Sequence, residues 1–180
     1  MQFIITPMTN DYAREIVGWK YDGQYAFYDY DKDADHILDA AKWGRSLFAV
    51  CDEEGQLCGE LTLWFQNAAD ERVPQADVDA GRLAGCVLWI GFGMRPDLTG
   101  QGLGLAFVNA CAAFAAQFAR SQYSYTGGEI ALGVYQFNQR AIKVYERAGF
   151  VSYYEGTRIK NGVEYKTQRM KKPIEQGGQP

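Results

Sequence analysis

Residues 94–104 read Met94-Arg95-Pro96-Asp97-Leu98-Thr99-Gly100-Gln101-Gly102-Leu103-Gly104, and the chain changes character across them. Before them, Cys86-Val87-Leu88-Trp89-Ile90-Gly91-Phe92 is a continuous apolar run of strand length, the pattern of a central strand buried on both faces. After them, Leu103, Phe107, Cys111, Phe114 and Phe118 recur at every third or fourth position, which predicts an amphipathic helix of about five turns. The stretch is therefore a strand-to-helix turn rich in glycine. Closely spaced glycines let the backbone approach a ligand and aim successive N–H groups at one point. The helix start adds unpaired N–H donors and the positive end of a dipole. Together they make an anion site of the kind that holds pyrophosphate. The same glycines also suit a tight turn that binds nothing. No Lys follows Gly104 as a P-loop requires, and the third glycine comes too early for a dinucleotide-binding fingerprint.

Outward from this turn, Phe3-Ile4-Ile5 reads as a first strand stopped by Pro7, with Asn10 capping a helix over 11–17. The segment Trp19 to Tyr30 is dense in aromatics without a clean period and reads as a loop or short helix; Asp35 to Lys42 suits a second short helix. Ser46–Cys51 and Leu57–Phe65 form a hairpin about the polar turn Asp52-Glu53-Glu54-Gly55, and Gln66–Gly85 is a polar, exposed loop. Glu129–Val134 is a strand. Asn138 then precedes a shorter helix with Ala141, Val144, Tyr145 and Ala148 on its apolar face, ended by Gly149. Phe150–Tyr154 and Glu164–Met170 are the last strands, joined by a turn at Asn161-Gly162. Hairpins followed by strand–helix–strand–helix–strand give an α+β sheet whose central unit pairs in parallel through a crossover.

The chain has 180 residues, a length that suits one domain over 1–172 with a disordered tail at 173–180. A composition 47% hydrophobic and 22% charged can bury a real core. The net charge of -4 argues against nucleic acid as partner, because that affinity rests on Lys and Arg neutralising phosphates. Cys51, Cys58, Cys86 and Cys111 are scattered through apolar runs, and His36 is the only histidine, so a metal centre is not expected and the thiols read as small buried hydrophobes. No basic leader and no apolar run of about 20 residues is visible, which points to a cytoplasmic protein without membrane attachment. A homodimer is compatible with the sequence.

Met94-x-Pro96-x-x-x-Gly100-x-Gly102-x-Gly104 resembles the pyrophosphate-binding motif of the GNAT superfamily of N-acetyltransferases. Asn138-x-x-Ala141-x-x-x-Tyr145-x-x-x-Gly149-Phe150 resembles the family's second signature, in the family's order. The resemblance covers roughly Leu88 to Val151, and the ordered pair is far more specific than either motif alone. It implies a mixed, mostly antiparallel central sheet of about six to seven strands flanked by about four helices, with acetyl-coenzyme A as cosubstrate and an amine as acceptor. It implies further that backbone groups of Phe92, Gly93 and Met94 bond the pantetheine arm. Thr99, Gly100, Gln101, Gly102, Leu103 and Gly104 would hold the pyrophosphate, and Asn138 would orient the arm. Arg140 and Lys143 would meet the 3′-phosphate. The family commonly has Arg or Gln where this chain has Thr99, so a weaker pyrophosphate grip is expected, with Gln101 as compensation.

The resemblance assigns Tyr145 as general acid to the leaving thiolate. A phenol near pKa ~10 and a thiol near ~8.5 make complete proton transfer uphill by about 2 kcal/mol, most of which a hydrogen bond in the transition state avoids. Tyr145 also fits simple packing on its helix, and Asn138 a simple N-cap. An amine with pKa ~10.4 needs a proton acceptor, for which Glu60, Asp29, Asp31 and Glu129 are open alternatives. Tyr21, Tyr25, Phe27 and Tyr28 with Asp22, Asp29 and Asp31 suit a cationic amine; polyamines, amino sugars, lysine side chains and protein N-termini all qualify. The competing readings are a non-catalytic acyl-coenzyme A sensor on the same fold and a domain acting through protein interaction alone.

Overall fold

The computed structural model describes residues 1–32, 34–160 and 162–174. Among these the chain forms strands β1 (Ile4–Pro7), β2 (Leu47–Cys51), β3 (Leu57–Gln66), β4 (Val87–Met94), β5 (Glu129–Tyr135), β6 (Val151–Lys160) and β7 (Val163–Pro173). The α-helices are α1 (Asn10–Val17), α2 (Ala34–Leu38), α3 (Gln75–Asp79), α4 (Gly104–Tyr123) and α5 (Gln139–Arg147). The strands lie in one sheet in the order β1-β2-β3-β4-β5-β7-β6. Pairings β1–β2, β2–β3, β5–β7 and β7–β6 are antiparallel, whereas β4–β5, linked through α4, is parallel. This is the mixed, mostly antiparallel α+β sheet that the family resemblance implies. Among the described residues no helix is long and apolar enough to cross a membrane.

Several elements differ from expectation for local reasons. Thr9, extended at φ -121°, caps α1 by accepting the Tyr12 N–H, and Asn10 is drawn into the helix, where its side chain accepts from Arg14. Residues 66–85, expected as an exposed loop, contain α3 and bury Val78 and Leu83. β4 is fully buried only at Leu88, Trp89 and Ile90; its Gly91–Met94 end is half exposed. β7 runs through Pro173 and Ile174 is buried, so these two residues are not part of a loose tail. Residues 175–180 and Asn161 of the expected turn lie outside the described residues.

The chain divides into two compact units. The first, Met1–Thr62 with Gly91–Cys111, has a core of Met8, Ala13, Ile16, Trp19, Ile37, Leu47, Ala49, Cys51 and Leu57. The second takes Leu63–Ile90 and the described residues from Ala112 onward. There the buried Tyr125 closes the start of β4: its hydroxyl donates to the Cys86 carbonyl at 3.0 Å and accepts the Leu88 N–H at 3.1 Å. Cys51, Cys58 and Cys111 are buried as expected, and Cys86 is partly exposed.

Within the first unit β3 and β4 meet at glycines. A Cβ on Gly59 would lie 2.5 Å from the Phe107 ring and 2.6 Å from the Gly93 carbonyl oxygen, which is backbone and cannot swing aside. Gly59→Ala is expected to destabilise the protein by about 1–3 kcal/mol, the usual range for overpacking, measured as a fall in the urea midpoint at unchanged slope.

Candidate active site

β4 ends at Met94 and passes into a short 3-10 turn, Pro96–Leu98, before the glycine loop. Gly100 and Gly102 sit at φ +79° and +80°, a region L side chains rarely adopt, so glycine is required at both. Residues 99–102 are exposed and open space faces Gly102. α4 then begins at Gly104, and an α-helix leaves its first N–H groups without intrahelical partners. The loop is braced from behind. The Thr99 hydroxyl donates to the Pro96 carbonyl at 2.8 Å, and the Gln101 amide donates to the Asp97 carbonyl at 2.6 Å. Arg95 donates its N–H to the Cys58 carbonyl and a guanidinium N–H to that of Leu57, while pairing with Asp97 at 2.7 Å. Thr99 and Gln101 thus shape the loop with their side chains, and Arg95, which the motif leaves unspecified, ties it to β3.

Of the four candidate bases, only Glu60 is buried, at 5% exposure. Asp29 and Asp31 both pair with Lys20, and Asp29 also accepts the Tyr21 N–H. Glu129 is a half-exposed partner of Lys171. Glu60 sits on β3 beside β4. Its Oε1 accepts the Tyr30 hydroxyl at 2.9 Å, its Oε2 accepts the Thr62 hydroxyl at 3.1 Å, and the Gly93 N–H also donates to it. Burial outweighs these donors and raises the carboxyl to about 7. The Tyr21 hydroxyl neighbours that of Tyr30 and donates its one hydrogen to the Met94 carbonyl at 2.9 Å. Burial and the Glu60 charge hold both phenols above their ordinary range. The two hydroxyls crowd onto Gly93, where any Cβ would strike that of Tyr30.

A line of hydroxyls therefore leads from Glu60 to the end of β4. Gly93 gives its N–H to Glu60, and Arg95 likewise addresses β3. Alternation along the strand turns the N–H groups of Phe92 and Met94 the other way. Of the aromatics expected around a cationic amine, Tyr21 joins this cluster, whereas Phe27 and Tyr28 pack edge to face on each other. Tyr30 and Thr62 are not among the site residues expected from sequence. The available signal is Glu60-x-Thr62, two polar residues on one face of an otherwise apolar strand.

The second unit carries the other signature. Asn138 caps α5 by accepting the Ala141 N–H at 3.1 Å. Arg140 and Lys143 are exposed on the first turns. Tyr145 is half buried with its ring edge against Phe150 at 6.3 Å. Ile142 is the fully buried residue of α5, and the expected stripe of Ala141, Val144, Tyr145 and Ala148 is only half covered.

The fourth strand of a mixed sheet thus ends in an exposed glycine turn, and a buried carboxylate is held against that strand end. The chain belongs to the acetyltransferase (GNAT) family, whose sequence profile matches residues 9–150, and is by that membership an acetyltransferase. No curated protein matches it in sequence. Among solved structures it is similar to a spermidine N-acetyltransferase SpeG chimera from Vibrio cholerae and hSSAT, with a TM-score of 0.65 and 17% identity over 95% of each chain. It is also similar to the spermidine/spermine N-acetyltransferase SpeG from Vibrio cholerae, with a TM-score of 0.61 and 16% identity over 96% of this chain and 92% of that one. A putative phosphinothricin N-acetyltransferase aligns with a TM-score of 0.64 and 11% identity over 97% of this chain and 100% of that one. Likeness at such identities is likeness of fold.

The raised Glu60 carboxyl has a consequence for stability. The folded state holds this proton more tightly than the unfolded state, so its stabilising contribution is complete below the ordinary value of 4.5 and is lost as pH rises through about 7. Between pH 5 and 8 the wild type should lose about 2–3 kcal/mol relative to Glu60→Gln. Urea unfolding of both proteins at the two pH values measures the difference.

Proposed function

We propose that the protein transfers the acetyl group of acetyl-coenzyme A directly to a primary amine of a small molecule or protein, with both substrates bound together. The observation that carries this reading is that one strand end serves two groups: Met94 opens into the glycine cradle while the adjacent Gly93 N–H grips Glu60. In this reading residues 99–104 hold the pyrophosphate, chiefly through backbone N–H groups. The outward N–H groups of Phe92 and Met94 receive the pantetheine arm while the Gly93 N–H, expected with them, is taken by Glu60; Asn138 orients the arm while capping α5, and Arg140 and Lys143 meet the 3′-phosphate. Thr99, whose hydroxyl is engaged within the loop, shapes the cradle and contributes no charge to it.

The amine nitrogen attacks the thioester carbonyl carbon, the C–S bond breaks, and the departing sulfur takes a hydrogen bond or proton from Tyr145. The proton shed by the amine goes to the Tyr21 oxygen as Tyr21 turns its own hydrogen from the Met94 carbonyl to the Tyr30 oxygen, and the Tyr30 hydrogen passes to Glu60. Holding both reactants in one complex supplies much of the rate, and no acyl-enzyme is formed. The spermidine acetyltransferases that share the fold support a small cationic amine as acceptor. A buried carboxylate behind two tyrosines supports the same class, since both attract a cation.

Calorimetry with acetyl-coenzyme A tests the cradle: the wild type should bind, and Gly102→Glu, which places a carboxylate among the phosphate donors, should lose at least about tenfold in affinity. Unchanged affinity in that variant would remove the loop from the site. Tyr145→Phe should lower kcat by about 10²-fold with acetyl-coenzyme A affinity nearly unchanged. A variant as fast as the wild type would exclude the general-acid role.

A further inference from the structure

Glu60 is held from both of its oxygens, and the second hold leads away from β4. Oε2 accepts the Thr62 hydroxyl at 3.1 Å; Thr62 Oγ1 lies 3.5 Å from His36 Nε2; His36 Nδ1 lies 3.2 Å from Lys42 Nζ; and Lys42 pairs with Asp39 at 3.2 Å. Chemistry fixes the direction of each link. An ammonium can only donate, so His36 Nδ1 accepts from Lys42. A neutral imidazole that accepts at Nδ1 carries its hydrogen on Nε2, which therefore donates to Thr62 Oγ1. The Thr62 hydrogen then goes to the carboxylate. Every donor points inward, from a partly exposed ammonium to a carboxylate that is 5% exposed.

We infer that Lys42, His36 and Thr62 form a polarised hydrogen-bond chain that favours the ionised, proton-accepting form of Glu60 against its burial, with Thr62 and His36 as positioning residues for the base. The positions are built for it. Thr62 shares the Glu60 face of β3 two residues on and is itself buried. His36 projects from α2, whose Ile37 carbonyl accepts the Trp43 indole N–H at 3.0 Å, and Lys42 lies in the turn that Asp39 caps. The other groups facing Glu60 cannot do this work alone. Tyr30 and Tyr21 are neutral phenols held well above their ordinary pKa, the Gly93 N–H is one neutral donor, and Cys111 on α4 is a neutral thiol that burial and the Glu60 charge keep protonated. Among the described residues, the hydrogen bonds that connect the carboxylate to a positive charge run through Thr62. Successive hydrogen bonds in a poorly solvated interior polarise one another, so the ammonium is felt beyond its own neighbour.

The test is direct titration of the Glu60 carboxyl carbon by ¹³C NMR in the free protein, alongside the pH dependence of kcat/KM. Thr62→Val removes the last donor with little change in shape, and the Glu60 midpoint should move up by about one pH unit. The acid limb of kcat/KM should move with it, so that activity at pH 7 falls about fivefold and returns at higher pH. Thr62→Ser should restore the wild-type midpoint. His36→Phe should move it in the same direction as Thr62→Val, and His36→Gln, which can still present an N–H to Thr62, should largely restore it. A midpoint in Thr62→Val and His36→Phe identical to the wild type would overturn the inference. The rate effect rests on Glu60 being the base, whereas the NMR midpoint does not. If Glu60→Gln retained full acetyl transfer while the midpoints still moved, the base assignment would fall and the chain would stand.

Discussion

Close approach of β3 and β4 at Gly59 and Gly93 is the constraint on which the first unit depends. With no Cβ on Gly59, the Phe107 ring of α4 and the Gly93 carbonyl can both lie against that point; with none on Gly93, the Tyr30 and Tyr21 hydroxyls reach the backbone. The first absence seats the helix that follows the cradle, and the second admits the phenols that meet Glu60. A methyl on Gly59 would strike backbone and the buried Phe107 ring, and one on Gly93 would strike the Tyr30 hydroxyl that donates to Glu60. The glycines of the loop act differently. Gly100 and Gly102 are needed for their positive φ, where the space around Gly102 is open and a ligand backbone or phosphate can approach.

How much of this was legible in the sequence depended on the range of the interactions. The strand-to-helix turn announced itself because its signals are local: an apolar run, spaced glycines, and a change of period within a few residues. The parallel β4–β5 pair followed from the strand–helix–strand succession along the chain. Glu60 was visible only as one acid among four, since burial is decided by elements distant in sequence. Asp29, Asp31 and Glu129 proved to be held by Lys20 and Lys171, pairings that no spacing rule fixes. The His36–Thr62 contact spans 26 positions and the Tyr21–Met94 bond 73, far beyond any helical or strand repeat. Even the α1 cap slipped by one residue. Thr9 and Asn10 are both good caps, and the extended backbone at Thr9 decided between them.

β6 shows the opposite failure, a strand with little sequence signal. Nearly all of its residues are exposed, among them Val151, Tyr153, Tyr154 and Ile159, and it pairs along its length with β7 at the end of the sheet order. A strand with no buried face need not alternate, so the apolar pattern that predicts strands elsewhere was missing past Tyr154. What holds it is the β7 ladder together with cross-strand contacts such as the Arg169 guanidinium over Tyr154 at 4.9 Å. Arg169 also pairs with Asp70 at 2.8 Å, which anchors part of the segment expected to be a free loop.

The value near which Glu60 titrates is the outcome of two opposed demands. Moving a proton from an amine of pKa ~10.4 to an ordinary carboxylate is uphill by about 8 kcal/mol, and to one near 7 by about 5. Burial therefore makes Glu60 a more effective acceptor by roughly 3 kcal/mol. The same burial carried further would leave the carboxyl protonated at neutral pH and useless as a base. Three donors, from Tyr30, Thr62 and Gly93, oppose it, and their combined pull brings the group to about 7 when desolvation alone would take it higher. A base is most effective when its pKa lies near the pH at which it works, and in the proposed mechanism the donors around this buried carboxylate meet that condition.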